Sequence, residues 1–196
     1  MAKWPNVPHC YGWLALDARG TWRMRDEAAQ RDESWGDKLT NTALVGFINR
    51  NYQADERGCW YFQNGPQRVY VNLEATPFIA RTDPQQGLVL QTGQAAGQVE
   101  QVFMTAAGAL VVRAGAVLAQ VDDRDVAQLL QAMTLDGKPV ADDALLRWLD
   151  DSQDSAGGQL ALRWQGREIA VERLAADEAP RRFGFVPRPD RLDAAK

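Results

Sequence analysis

Apolar and polar positions along the chain alternate with period two in many short stretches and recur every 3.6 residues in a few others. Trp13-Leu14-Ala15-Leu16-Asp17 alternates weakly, and Thr21-Trp22-Arg23-Met24-Arg25 alternates cleanly. In the second stretch Trp22 and Met24 share one face, Arg23 and Arg25 the other. With Ala18-Arg19-Gly20 between them, the two predict a hairpin whose turn uses the positive φ open to Gly20. Residues 27–38 are polar, contain Gly36 and predict a loop. Leu44, Phe47, Ile48 and Asn51 then trace a helix over 41–52, capped by Asn41 or Thr40 and ended by Asp55 to Gly58. Cys59 to Phe62 and Arg68 to Leu73 read as strands joined by a turn at Asn64-Gly65-Pro66, with a short strand at Phe78-Ile79-Ala80 beyond Pro77.

Thr82-Asp83-Pro84-Gln85-Gln86-Gly87 carries the strongest linker signal. After it come strands at 99–105, 109–112 and 117–121 and a helix through Val126, Leu129, Leu130 and Met133, capped by Asp122 or Asp123. A second helix holds Ala144, Leu145, Trp148 and Leu149, capped by Asp142 or Asp143, and Gly157-Gly158 ends that segment. Strands at 159–164 and 167–174 turn at Gln165-Gly166. Ala43-Leu44-Val45-Gly46-Phe47-Ile48 aligns with Ala144-Leu145-Leu146-Arg147-Trp148-Leu149, and each helix leads through a Gly into a hairpin and on to an aromatic segment. The expected fold is α+β: two related hairpin–helix–hairpin halves, mainly antiparallel sheet with helices packed on it. The expected organisation is an N-terminal subdomain over 1–83, a C-terminal subdomain over 88–186 and a flexible tail over 187–196. The predicted core draws on Trp13, Leu14, Leu16, Trp22, Met24, Phe47, Ile48, Trp60, Val69 and Val71, and in the second half on Leu129, Leu130, Leu145, Trp148, Leu149, Leu162 and Ile169.

Three stretches carry a resemblance: Trp4-Pro5-Asn6-Val7-Pro8-His9-Cys10-Tyr11-Gly12-Trp13, Gly20-Thr21-Trp22-Arg23-Met24-Arg25-Asp26-Glu27, and Asn64-Gly65-Pro66-Gln67-Arg68-Val69-Tyr70-Val71. They resemble an uncharacterised proteobacterial protein family, a domain of unknown function. The plan of Gly20-Thr21-Trp22, the helix over 41–52 and Pro77-Phe78 is similar to a second bacterial family of unknown function. That second resemblance implies a fold of repeated motifs and a role in signal transduction. Neither resemblance brings catalytic residues.

Composition narrows the possibilities. Apolar residues make up 45% and charged residues 24%, enough to build a core, which excludes global disorder. The net charge of −4 argues against nonspecific binding to nucleic acid. Two cysteines imply no disulfide framework, and with a single His they make no dense zinc site. No signal-peptide pattern opens the chain, and no apolar run approaches the ~20 residues of a membrane span. The expectation is a cytoplasmic protein with no membrane association, no metal and no cofactor.

Candidate chemistry is sparse. His9-Cys10 reads as a buried thiol beside a strand-start histidine, because neighbours on an extended segment point to opposite sides. Asp122-Asp123-Arg124-Asp125 and Asp150-Asp151-Ser152-Gln153-Asp154 lack the glycine and terminal glutamate of a calcium loop and read as helix caps and solvated charge. Arg181-Arg182-Phe183-Gly184-Phe185 alternates like a last strand. There is no phosphate-binding glycine loop, no dinucleotide fingerprint and no nucleophile elbow around Ser34, Ser152 or Ser155. What remains is an anion-binding surface of Trp22, Arg23, Arg25 and Arg68, with the alternative that Asp26, Glu27 and Glu74 neutralise it. The function expected is a non-enzymatic binding or regulatory module, in signalling, with a protein or small molecule as its partner. The alternative is a small-ligand binder or enzyme with a cleft between the halves.

Overall fold

Fifteen strands and five helices make up the described part of the chain, an α+β protein. The computed structural model describes residues 5–150, 158–175 and 177–190. The acidic positions 151–154, Gly157 and tail residues 191–196 lie outside them. Two units emerge: Met1–Pro77 with Gln91–Gly93 and Pro180–Lys196, and Phe78–Leu90 with Gln94–Ala179.

Unit 1 opens with the predicted hairpin, β1 (His9–Leu16) and β2 (Trp22–Met24), antiparallel with Leu14 opposite Met24 and Leu16 opposite Trp22. The Asp17 carboxylate closes the turn, accepting from Arg19 N at 3.0 Å and Thr21 N at 2.8 Å. The polar stretch 27–38, expected as loop, instead holds α1 (Glu27–Arg31) and the two-residue β3 (Asp37–Lys38). Asp26 caps α1, and Ala29 is its one buried residue, too little apolar periodicity to register in the sequence. α2 (Thr42–Arg50) follows, and its Asn41 cap accepts from Leu44 N at 2.9 Å. The helix falls within the expected 41–52. It ends at Arg50, and β4 (Tyr52–Ala54) pairs at once with β5 (Trp60–Asn64). Residues 55–58 are the turn between them, closed by the Asp55 carboxylate on Arg57 N and Cys59 N. β6 (Gln67–Leu73) returns antiparallel to β5 and parallel to β1, completing the order β3-β2-β1-β6-β5-β4. The Phe47 ring of α2 meets Phe62 of β5 edge-on at 6.0 Å, so α2 covers the face that carries Phe62.

Unit 2 begins with β7 (Phe78–Asp83) and β8 (Gly87–Leu90), an antiparallel pair with Asp83 opposite Gly87. Residues 82–87, expected as a linker, therefore close a hairpin. The Asp83 carboxylate accepts from Gln85 N and Gln86 N, and an Asp-Pro turn looks the same in sequence whether it joins strands or domains. β9 (Gln101–Thr105), β10 (Leu110–Ala114) and β11 (Val117–Val121) form a meander. α3 (Asp123–Leu130), β12 (Met133–Leu135), β13 (Lys138–Pro139) and α4 (Asp142–Asp150) follow. β14 (Leu160–Trp164) and β15 (Arg167–Leu174) turn at Gln165-Gly166 as predicted. The nine strands lie in the order β13-β12-β14-β15-β9-β10-β11-β7-β8. Val102, Met104, Leu110, Leu129, Trp148 and Leu162 belong to one buried cluster beneath it.

Both units contain a nine-residue helix followed by a hairpin, but their strand orders differ. β1 pairs parallel with β6, the last strand of the hairpin β5–β6, whereas β12 pairs antiparallel with β14, the first strand of the hairpin β14–β15. The tail of the second aromatic segment also departs from expectation. α5 (Glu178–Phe183) takes up Phe183 as helix, and only Val186 pairs like a strand, parallel to Cys59. Val186 N donates to Gly58 O at 2.9 Å, and Leu73 N donates to Pro187 O at 2.7 Å.

Candidate functional site

Arg23 lies on β2 and Arg25 just beyond its end, and their surroundings differ. The chain from Asp26 to Asn41 loops back beside β2 and decides both environments. Gly36, at φ +77°, makes that return possible: a Cβ there would lie 2.1 Å from the Met24 carbonyl oxygen. Arg25 is only 9% exposed, and its guanidinium donates to Ser34 O, Gly12 O and Ala29 O. Burial, with the Arg188 charge nearby, lowers its pKa against the opposing pull of Glu33. Arg25 is therefore a tie between the loop and β1. Arg23 is half-buried, bound through Nε to Asp17 at 2.7 Å and through Nη1 to Gly36 O at 3.2 Å.

Trp22 is 2% exposed and so contributes nothing to an exposed patch. Its indole N–H donates to Asn49 Oδ1 at 2.7 Å, and its ring meets Tyr52 edge-on at 5.1 Å. Arg68 sits opposite His9 on β6, whereas Arg23 sits opposite Ala15 on β2. The register thus puts Arg68 at the other end of the sheet from Arg23.

Arg68 belongs to a separate polar-aromatic layer. Its guanidinium lies 4.8 Å from the Tyr61 ring centre, and the Tyr70 hydroxyl raises its pKa. Tyr70 stacks on Tyr11 at 4.4 Å, with His9 on the same face, its Nδ1 3.5 Å from the Tyr70 hydroxyl. Arg57 and Asp55 complete the layer through a 2.7 Å ion pair. Burial pushes the Asp55 carboxyl up, but hydrogen bonds from the Arg57 guanidinium and from Cys59 N and Arg57 N bring it below its ordinary value. Cys10 is buried and opposite Val69, while His9 is exposed.

Beside the loop lies a groove of about 1430 Å³ wholly within unit 1. Of the four predicted binding residues Arg23 lines it, whereas Trp22, Arg25 and Arg68 do not. Met24, Trp35, Leu39 and Leu44 form its apolar wall, all half-buried. Its carboxylates (Asp17, Asp26, Asp32, Asp37, Glu74) outnumber its cations (Arg19, Arg23, Lys38). Three of the carboxylates have structural work: Asp17 on Arg23, Asp26 as the α1 cap, and Glu74 on Ala18 N at 2.7 Å. Asp32 and Asp37 make no ion pair among the described residues. The sequence signal for this groove was Trp35 and Leu39, two large apolar residues in an otherwise polar stretch.

Among the described residues no group of three or more His, Cys, Asp or Glu side chains could hold a metal ion, and no helix is long and apolar enough to cross a membrane. The model of the family DUF2944, described as a protein of unknown function (DUF2946), matches residues 1–190. The chain belongs to this family. Two solved structures are similar to it. A DUF1285 family protein from Silicibacter pomeroyi DSS-3 is 15% identical, with 82% of this chain and 79% of that chain covered and a TM-score of 0.48. A DUF1285 family protein from Shewanella baltica OS155 is 10% identical, with 59% and 88% covered and a TM-score of 0.41. No curated protein matches.

Proposed function

We propose that this protein is a non-enzymatic binding module that holds an extended, cationic polypeptide segment in the unit 1 groove. The observation behind this reading is the groove itself. At about 1430 Å³ it exceeds the 300–1,000 Å³ usual for small-molecule pockets, and a strand-like segment needs such length. Met24, Trp35, Leu39 and Leu44 offer apolar anchoring surface. The excess of carboxylates, with Asp32 and Asp37 in no ion pair among the described residues, complements lysine or arginine on the partner. A regulatory role in signalling, with capture of the segment as the signal, is part of this reading. So is a cytoplasmic location, supported by the low cysteine content of the chain, two residues in all.

The test is selection from a random peptide library on the purified chain, followed by affinity measurement. Enriched peptides carry apolar residues flanked by Lys or Arg. They lose about tenfold or more in affinity on Trp35→Ala, and a comparable amount on Asp37→Lys. Binding weakens as salt rises. A selection without an enriched motif, or peptides that bind Trp35→Ala and Asp37→Lys as well as wild type, would rule the groove out.

A further inference from the structure

Unit 2 has a smaller pocket, of about 330 Å³, beside the β14–β15 turn. Its polar lining is Gln86, Gln98, Gln165 and Arg167, its aromatic wall is Trp164, and Val99 and Ile169 form its buried apolar floor. No carboxylate lines it. The Arg167 guanidinium donates once, from Nη1 to Val99 O at 3.2 Å, and has no ion-pair partner among the described residues. That bond orients the guanidinium and leaves its other N–H groups without a partner among the described residues. The side-chain amides of Gln86, Gln98 and Gln165 likewise have no hydrogen-bond partner among the described residues. Gly87 packs beside two of the walls: a Cβ on it would lie 2.4 Å from Gln165 Nε2 and 3.4 Å from the Trp164 ring.

From this arrangement we infer that the pocket binds a small hydroxylated carboxylate of the sugar-acid kind. The volume, at the low end of the small-molecule range, suits one pyranose-sized ring. A guanidinium without a carboxylate partner recognises the ligand's carboxylate. Primary amides both donate and accept, which suits hydroxyl groups rather than a bare anion. The half-buried Trp164 presents a flat face to the C–H side of a sugar ring. This site lies in unit 2 and does not depend on the groove reading, so either can fail alone.

The probes are D-glucuronate, D-glucose and inorganic phosphate, each titrated into the full chain by saturation-transfer NMR and calorimetry. Glucuronate binds at least about tenfold more tightly than glucose or phosphate. Arg167→Gln reduces glucuronate to the level of glucose. Gln98→Ala, an exposed position that leaves folding intact, weakens both sugars. Arg113→Gln, on β10 and outside the pocket, changes nothing. The inference is overturned if glucuronate shows no binding at about 10 mM, or if Arg167→Gln leaves its affinity unchanged. Phosphate binding as tightly as glucuronate overturns it too, because the ring would then add nothing.

Discussion

Replacing Asp122 by Asn removes one buried negative charge while keeping a residue that can still cap α3. Asp122 has no exposed surface, and its carboxylate accepts from Arg124 N at 3.0 Å and Arg124 Nε at 2.8 Å. Arg124 Nη2 also donates to it, and Arg81 Nε lies 3.8 Å away. Burial pushes this carboxyl up, but the Arg124 guanidinium and Arg124 N–H outweigh it and hold its pKa at about 2, against an ordinary 3.8. A folded pKa below the unfolded one means that the charge stabilises the fold fully above pH 3.8 and ceases to as pH falls through about 2. At about 1.4 kcal/mol per pH unit the depression corresponds to about 2 kcal/mol at neutral pH. Asn caps about as well as Asp, so the cap itself contributes little to the difference. Urea unfolding followed by tryptophan fluorescence, repeated from neutral pH downward, should show the variant about 2 kcal/mol less stable at neutral pH. The gap should close toward zero near pH 2. A gap below about 0.5 kcal/mol at neutral pH, or one that persists unchanged into acid, would refute the charge-based account.

Arg25→Ala leaves three carbonyl acceptors without their donor and should cost about 2–4 kcal/mol in the same assay. Arg23→Ala, from a half-exposed ion pair, should cost about 1 kcal/mol or less, and equal losses would contradict the different roles assigned to the two. Gly36→Ala combines a left-handed backbone with a Cβ driven against the Met24 carbonyl, and should cost about 2 kcal/mol or more. Because the groove wall hangs on that residue, the variant should also lose any selected peptide, and full retention of binding would show that the loop is held by other means.

Hairpins were legible because their turns carry their own chemistry. The turns at Gly20, Asn64-Gly65 and Gln165-Gly166 all stand where residue type alone places them, as does the Asn41 cap of α2. Pairings between distant segments left no local trace: β1 with β6, β7 with β11 and β9 with β15 are all parallel and separated by long stretches of chain. α1 and α5 escaped notice because five or six residues with one buried position give no period to read. At the candidate site the alternation grouped Arg23 with Arg25. It could not foresee that the loop from Asp26 to Asn41 would bury one and leave the other beside a groove, since that depends on Gly36 meeting the Met24 backbone. Arg68 was grouped with them as a residue of a neighbouring hairpin, and the β1–β6 register separates it.

The strand-like segment at Val186 and Pro187 has a consequence for the order in which this chain matures. Gly58 O and Leu73 N, in the turn before β5 and at the end of β6, receive their partners from residues synthesised more than a hundred positions later. Unit 1 is thus begun first and completed last, whereas unit 2 is made almost without interruption between Phe78 and Ala179. A released chain cut before Pro180 should therefore contain a finished second unit and a first unit that lacks its closing backbone contacts.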